Sequence, residues 1–171
     1  PPVGTLRFAP AQLTAGVSPF HKIGCPMHVS NISRNLFFLA ALSSCLAASA
    51  QNLTPAQIKQ IEDIARNIAA QSNANKQAML DDMTVSFNAV AVGRNVRFEN
   101  VIRVKKGLPP NKIKEWLDAT RAEITPKSCA QNANNPAFDR GLSYTFAYSN
   151  TYGEKLGDVF VDKATCKNLG L

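Results

Sequence analysis

Residues 85–104 read VSFNAVAVGRNVRFENVIRV, and the fold turns on this stretch. Val85, Phe87, Ala89 and Ala91 occupy alternate positions, the period of a strand with one buried face. Val92-Gly93-Arg94-Asn95 is turn-like, because Gly93 can adopt the positive φ that a tight hairpin needs. Val96, Phe98, Ile102 and Val104 then alternate again, with Asn100 as the exception. Arg97, Glu99, Val101, Arg103 and Lys105 take the other side. The stretch reads as two antiparallel strands with one apolar and one mostly charged face, as in a sheet solvated on one side.

The flanking segments read as helices that cover the apolar face. Upstream, Thr54-Pro55-Ala56-Gln57 has a capping residue, a proline suited to the first helical position and the Gln of a capping box. Ile58, Ile61, Ile64, Ala65 and Ile68 follow at helical spacing. The stripe fades at Ser72-Asn73-Ala74-Asn75 and resumes at Ala78, Met79 and Leu80, which predicts one helix over about 55–79. Downstream, Gly107-Leu108-Pro109-Pro110 breaks the strand. A second helix follows, with Ile113, Trp116, Leu117, Thr120 and Ile124 as its buried stripe and Pro126 as its expected end. An Asn-rich loop spans residues 130–140.

Leu142, Tyr144, Phe146 and Tyr148 alternate in a third strand, and Asn150-Thr151-Tyr152-Gly153 turns the chain. Val159 and Val161 share one face of a fourth strand, with Phe160 on the other. The order α-β-β-α-β-β defines an α+β class, with two helices packed on a four-stranded antiparallel sheet.

The N-terminal region reads differently. From Met27 a short polar segment holding Arg34 leads into the apolar run LFFLAALSSCLAA and then Ala48-Ser49-Ala50, the layout of a secretory signal. The run is shorter than the roughly 20 apolar residues that span a bilayer. Residues 1–26, proline-rich and aperiodic, are expected to lie upstream of the true start. Residues 27–50 are then the signal, and 51–171 form a single α+β domain. The expected product is exported, periplasmic or secreted. Leu42-Ser43-Ser44-Cys45 offers a second processing route, acylation at Cys45, which would make an outer-membrane lipoprotein.

Export sharpens the composition. Arg7, Lys22 and Arg34 precede residue 51, so 16 of the 19 basic residues and all 12 acids lie beyond it, a net charge of about +4. That is too little for a dedicated nucleic-acid binder, and nucleic acid is not an expected partner. Both histidines, His21 and His28, also precede residue 51. The exported domain therefore lacks the base of Ser-His-Asp and Cys-His schemes and any His-based zinc site. Cys129 and Cys166 are its only cysteines. In an oxidising compartment they are expected to form a disulfide, the alternative being two buried free thiols.

Asp81-Asp82 would point to opposite faces of a strand and reads as a solvated linker. Asp158 and Asp162, with Glu154 in the preceding turn, form a weak cation-site candidate against the simpler reading of a solvated face. Arg94, Arg97, Arg103, Lys105, Lys106, Lys112 and Lys114 make a basic strip. Within it Arg97, Arg103, Lys105 and Lys112 are candidates for binding an anionic surface or an acidic protein. Asn52-Leu53-Thr54 matches a glycosylation sequon, but Thr54 has the helix to cap. No nucleophile has an evident base and no glycine-rich phosphate loop occurs. The expectation is no enzyme, no catalytic residue, no metal and no cofactor.

One stretch carries a family resemblance. Gly141-Leu142-Ser143-Tyr144-Thr145-Phe146-Ala147-Tyr148, then Gly153-Glu154-Lys155-Leu156, then Cys166, follows a G-x-x-Y-x-Y/F, G-x-x-L, C pattern, with Cys129 ahead of it after a helix. It resembles small exported bacterial proteins of the quorum-sensing-regulated virulence factor type and the pilotins of type II secretion, over roughly residues 54–168. The resemblance implies the αββαββ layout, a Cys129–Cys166 bridge and a non-enzymatic role. Pilotins are usually lipoproteins that bind a short helix of a secretin. The resulting expectation is protein–protein binding in the envelope, in a virulence-factor-like or secretion-accessory role. The alternative is a secreted binder of anionic envelope components through the basic strand face.

Overall fold

The computed structural model describes residues 53–171. Helix α1 spans Pro55–Ala74. Its capping box is complete: Gln57 N–H donates to Thr54 Oγ1 at 3.3 Å, and Thr54 N–H donates to Gln57 Oε1 at 2.8 Å. The single helix expected to residue 79 is instead divided. Asn75 caps α1, its Nδ2 donating to Gln71 O at 3.1 Å, and Lys76–Met79 continues as a 3₁₀ turn. Strands β1 (Thr84–Val92) and β2 (Asn95–Ile102) form the hairpin, with Gly93 at φ 57° in its two-residue turn.

Helix α2 spans Pro110–Asn132, so Pro126 lies inside it rather than at its end. A proline within a helix costs about 3 kcal/mol and forfeits one backbone bond. Here tertiary contacts hold the turns beyond it. Ser128 and Cys129 are buried, Cys129 is covalently tied, and Tyr144 Oη donates to Asn132 Oδ1 at 2.9 Å. Two short helices went unread in the sequence: α3, Pro136–Asp139, within the Asn-rich segment, and α4, Lys163–Asn168, after the last strand. Strands β3 (Ser143–Asn150) and β4 (Lys155–Val161) form a second hairpin.

The sheet order is β1-β2-β3-β4. Both hairpins are antiparallel, but β2 and β3 run parallel, so the expectation of an all-antiparallel sheet is corrected at its centre. The cause is the connection. A turn of a few residues reverses the chain, whereas α2 carries it back along the sheet, so β3 starts at the same end as β2. The class remains α+β: two hairpins joined by a crossover helix, with the long helices against one sheet face.

Register places the apolar positions on that inner face. Val96 lies beside Tyr144, Phe98 beside Phe146, Asn100 beside Tyr148 and Ile102 beside Asn150. Val159 and Val161 follow on β4, and Phe87, Ala89 and Ala91 on β1. Ile61, Ala65 and Ala69 of α1 and Thr120, Ile124 and Cys129 of α2 are buried beneath their helices. Cys129 and Cys166 are bonded, with Cα atoms 5.5 Å apart, fixing the end of α2 to α4.

Candidate functional site: an aromatic seam between two helices

The inner face is covered unevenly. Helix α1 packs chiefly on β1 and β2, and α2 chiefly on β4 and α4. Between them lies the middle of the sheet, β2 and β3. Phe98 of β2 and Phe146 of β3 would be core residues by position, yet both are only half-buried, as is Phe87. They stack together: Phe98 lies 5.1 Å from Phe146, 5.9 Å from Phe87 and 6.2 Å from Tyr144, centroid to centroid. Ile64 and Ile68 of α1, and Ile113, Trp116 and Leu117 of α2, pack against the core while remaining partly accessible. Trp116 stands edge-on to Tyr148, ring centroids 5.0 Å apart. The result is an apolar seam with an aromatic floor, of the kind that accepts a complementary apolar surface.

The buried tyrosines are structural. Burial pushes the Tyr144 phenol up to about 12, a rise partly opposed by its hydrogen bond to Asn132. Burial also raises Tyr148, with the charge of Glu123 adding to the shift.

Asp81, Asp158, Asp162 and Glu154 each have a local structural partner. Asp81 Oδ1 accepts the Met83 N–H at 2.9 Å and also the Thr84 N–H. Asp158 is shared by Lys155 at 2.9 Å and Arg97 at 3.5 Å, and Asp162 caps α4 by accepting the Thr165 N–H at 2.7 Å. Glu154 Oε2 accepts the Gly107 N–H at 2.9 Å and Asn150 Nδ2 at 2.6 Å. The Gly107 bond, then Asn150, then the charge of Lys106 hold Glu154 below the usual carboxylate range. Among the described residues no three side chains are grouped to bind a metal.

Of the basic candidates, Arg97 lies on the outer sheet face, 3.8 Å from Glu99 as well as beside Asp158. Lys112 lies in the first turn of α2 and pairs with Glu115 at 2.8 Å. Arg103 and Lys105, after β2, are exposed and make no ion pair among the described residues. Cys45 falls outside the described residues. In the sequence Trp116 and Phe98 read as core, and Phe146, with Tyr144 and Tyr148, as a core stripe or alternatively a stacking platform. Their accessibility depends on the spacing of two helices, which periodicity does not encode.

The fold has counterparts among solved structures. The pilotin EpsS of the Vibrio vulnificus type 2 secretion system superposes with a TM-score of 0.51 at 21% identity, covering 66% of this chain and 97% of that one. A Pseudomonas aeruginosa protein described only as secreted gives a TM-score of 0.55 at 10% identity, covering 67% of this chain and 99% of that one. The fold is thus similar to that of a pilotin, in line with the sequence resemblance, at an identity that speaks for fold alone. No family model and no curated protein matches the sequence.

Proposed function

We propose that this chain is an exported accessory protein of the bacterial envelope that holds an apolar segment of another protein in the seam between α1 and α2. The observation that carries the reading is the half-buried state of Phe98 and Phe146 at the centre of the core face. Aromatic floors of this kind supply most of the energy at protein interfaces through a few anchor residues. The signal-like residues 27–50 and the Cys129–Cys166 bridge support export, since a disulfide persists in an oxidising compartment. The pilotin-like fold supports a secretion-accessory role, with an envelope protein as partner. A photo-crosslinking residue at Ile113, on the rim of the seam, tests this in intact cells against the same residue at Thr145 on the outer face. The expected result is one envelope-protein adduct from position 113, lost when Phe98 is changed to Ser. Equal yields from both positions would overturn the reading.

Exposed Arg103 and Lys105 favour a second reading, attraction to anionic envelope components. Salt-sensitive binding to anionic vesicles, lost in the Arg103→Glu/Lys105→Glu variant, would support it. Intact mass separates cleavage after Ala50 from acylation at Cys45.

A further inference from the structure

Strand β1 forms one edge of the sheet and is unguarded by its own composition. Its sequence, TVSFNAVAV, contains no charged residue and no proline. Uncharged, β-prone edge segments of this length pair readily with other strands, and proteins usually blunt them with lysine, proline or a bulge. The opposite edge, β4, has Lys155 and Asp158; each hairpin also has a register break, at Thr84/Ser86 in β1 and beside Tyr148/Ser149 at β4, so it is the charges that β1 lacks.

The β1 edge is blocked from outside instead. Asn73, in the last turn of α1, donates from Nδ2 to Ala89 O and accepts the Ala89 N–H on Oδ1, both at 2.7 Å. The two-residue turn makes Val92 and Asn95 a hydrogen-bonded pair, so Val90 and Asn88 also bond toward β2. Phe87, Ala89 and Ala91 therefore direct their backbone groups to the free edge. Asn73 occupies the middle one of the three. Further along, Thr84 is closed by Asp81, which accepts its N–H on Oδ1 and donates its own N–H to Thr84 O at 3.1 Å. An incoming strand needs consecutive outward residues, and Asn73 leaves only Phe87 and Ala91, which are not consecutive.

We propose that Asn73 is an edge guard, which prevents the β1 strands of two copies of this chain from pairing. With the amide gone and the last turn of α1 released from the edge, β1 can meet β1 of a second copy antiparallel about a two-fold axis. Ala89 then faces Ala89, and Phe87 faces Ala91, with no like charges opposed. This closure is independent of what occupies the inter-helix seam.

The test is sedimentation velocity of the full chain over a wide concentration range, with circular dichroism to confirm folding. Unsubstituted protein should sediment as one chain. Asn73→Ala should shift toward two chains as concentration rises, and Asn73→Ala/Asn88→Lys, which charges the exposed edge, should return to one. If Asn73→Ala fails to fold, Asn73→Gln gives the same reading, because its longer side chain carries the amide past Ala89. A folded Asn73→Ala or Asn73→Gln protein that stays monomeric throughout would overturn the proposal. So would self-association that Asn88→Lys leaves unchanged.

Discussion

Leu117 on α2 lies directly over Gly157 on β4: its Cδ1 stands 2.3 Å, and its Cγ 3.3 Å, from where a β-carbon on residue 157 would sit. Gly157 also has φ 150°, next to the irregular register at Tyr148 and Ser149. The glycine therefore sets how closely α2 approaches the sheet, and with it one wall of the seam. Gly157→Ala should destabilise the fold by about 1–3 kcal/mol through overpacking, read as a lower urea midpoint. Adding Leu117→Ala should recover part of the loss. Equal midpoints for Gly157→Ala and the parent protein would show that α2 is not held at this distance by the contact.

The bridge between Cys129 and Cys166 closes a loop with a sequence separation of 37, and both residues are buried. Its loss should cost about 2–5 kcal/mol. Cys129→Ser and Cys166→Ser should be destabilised alike, with the double variant little worse than either, because each single change already removes the whole bond. Denaturant unfolding of the three variants measures this, beside a thiol count in denaturant. Additive losses would contradict a shared bond.

Alkaline pH should weaken the fold through two phenols. Tyr144, at about 12, and Tyr148, also raised, stay neutral in the fold, whereas an unfolded chain ionises its tyrosines near 10.0. A raised folded pKa means the contribution is whole below pH 10 and declines as pH climbs toward and past 12. Melting temperature from pH 8 to 12 should fall along this course, and Tyr148→Phe should flatten it. A melting temperature level through pH 11.5 would contradict the burial of both rings.

Acid should loosen one loop locally. Glu154, with its pKa held down by Gly107, Asn150 and Lys106, ties the β3–β4 turn to the start of the α2 approach. For a lowered pKa the tie is intact above the ordinary carboxylate range and is lost as pH falls through the lowered value. The protection of the Gly107 amide relative to its intrinsic exchange rate should fall on acidification, and its exchange should quicken in Glu154→Ala at neutral pH. Amides of Val96 and Val159 should be unaffected in that variant. An unchanged Gly107 rate would show that the loop is held by other contacts.

The strands were legible because alternation is a local signal. Phe87/Ala89/Ala91, Val96/Phe98, Tyr144/Phe146/Tyr148 and Val159/Val161 all lie on the inner face, as their period of two requires. The cap at Thr54 was legible for the same reason, since all its bonds lie within one helical turn. The pairing of Cys129 with Cys166 was legible because they are the only two cysteines beyond residue 51, where the expectation of export implies an oxidising compartment.

What the sequence could not decide lies between elements. Alternation is the same whether a half-buried strand runs parallel or antiparallel to its neighbour, so the direction of β3 beside β2 waited on the path of α2. Pro126 obeys a local rule that buried Ser128 and Cys129, with the bridge and the Tyr144–Asn132 bond, overrule by energies of tertiary origin. Asn73 reads as a fading helix, yet its partner is the backbone of an edge strand 16 residues on. The close approach of α2 to the sheet, with Leu117 over Gly157, and the incomplete burial of Phe98 and Phe146 are likewise relations between elements. Local alternation specifies which residues face inward, whereas how completely each is covered depends on distances between elements, which no local period specifies.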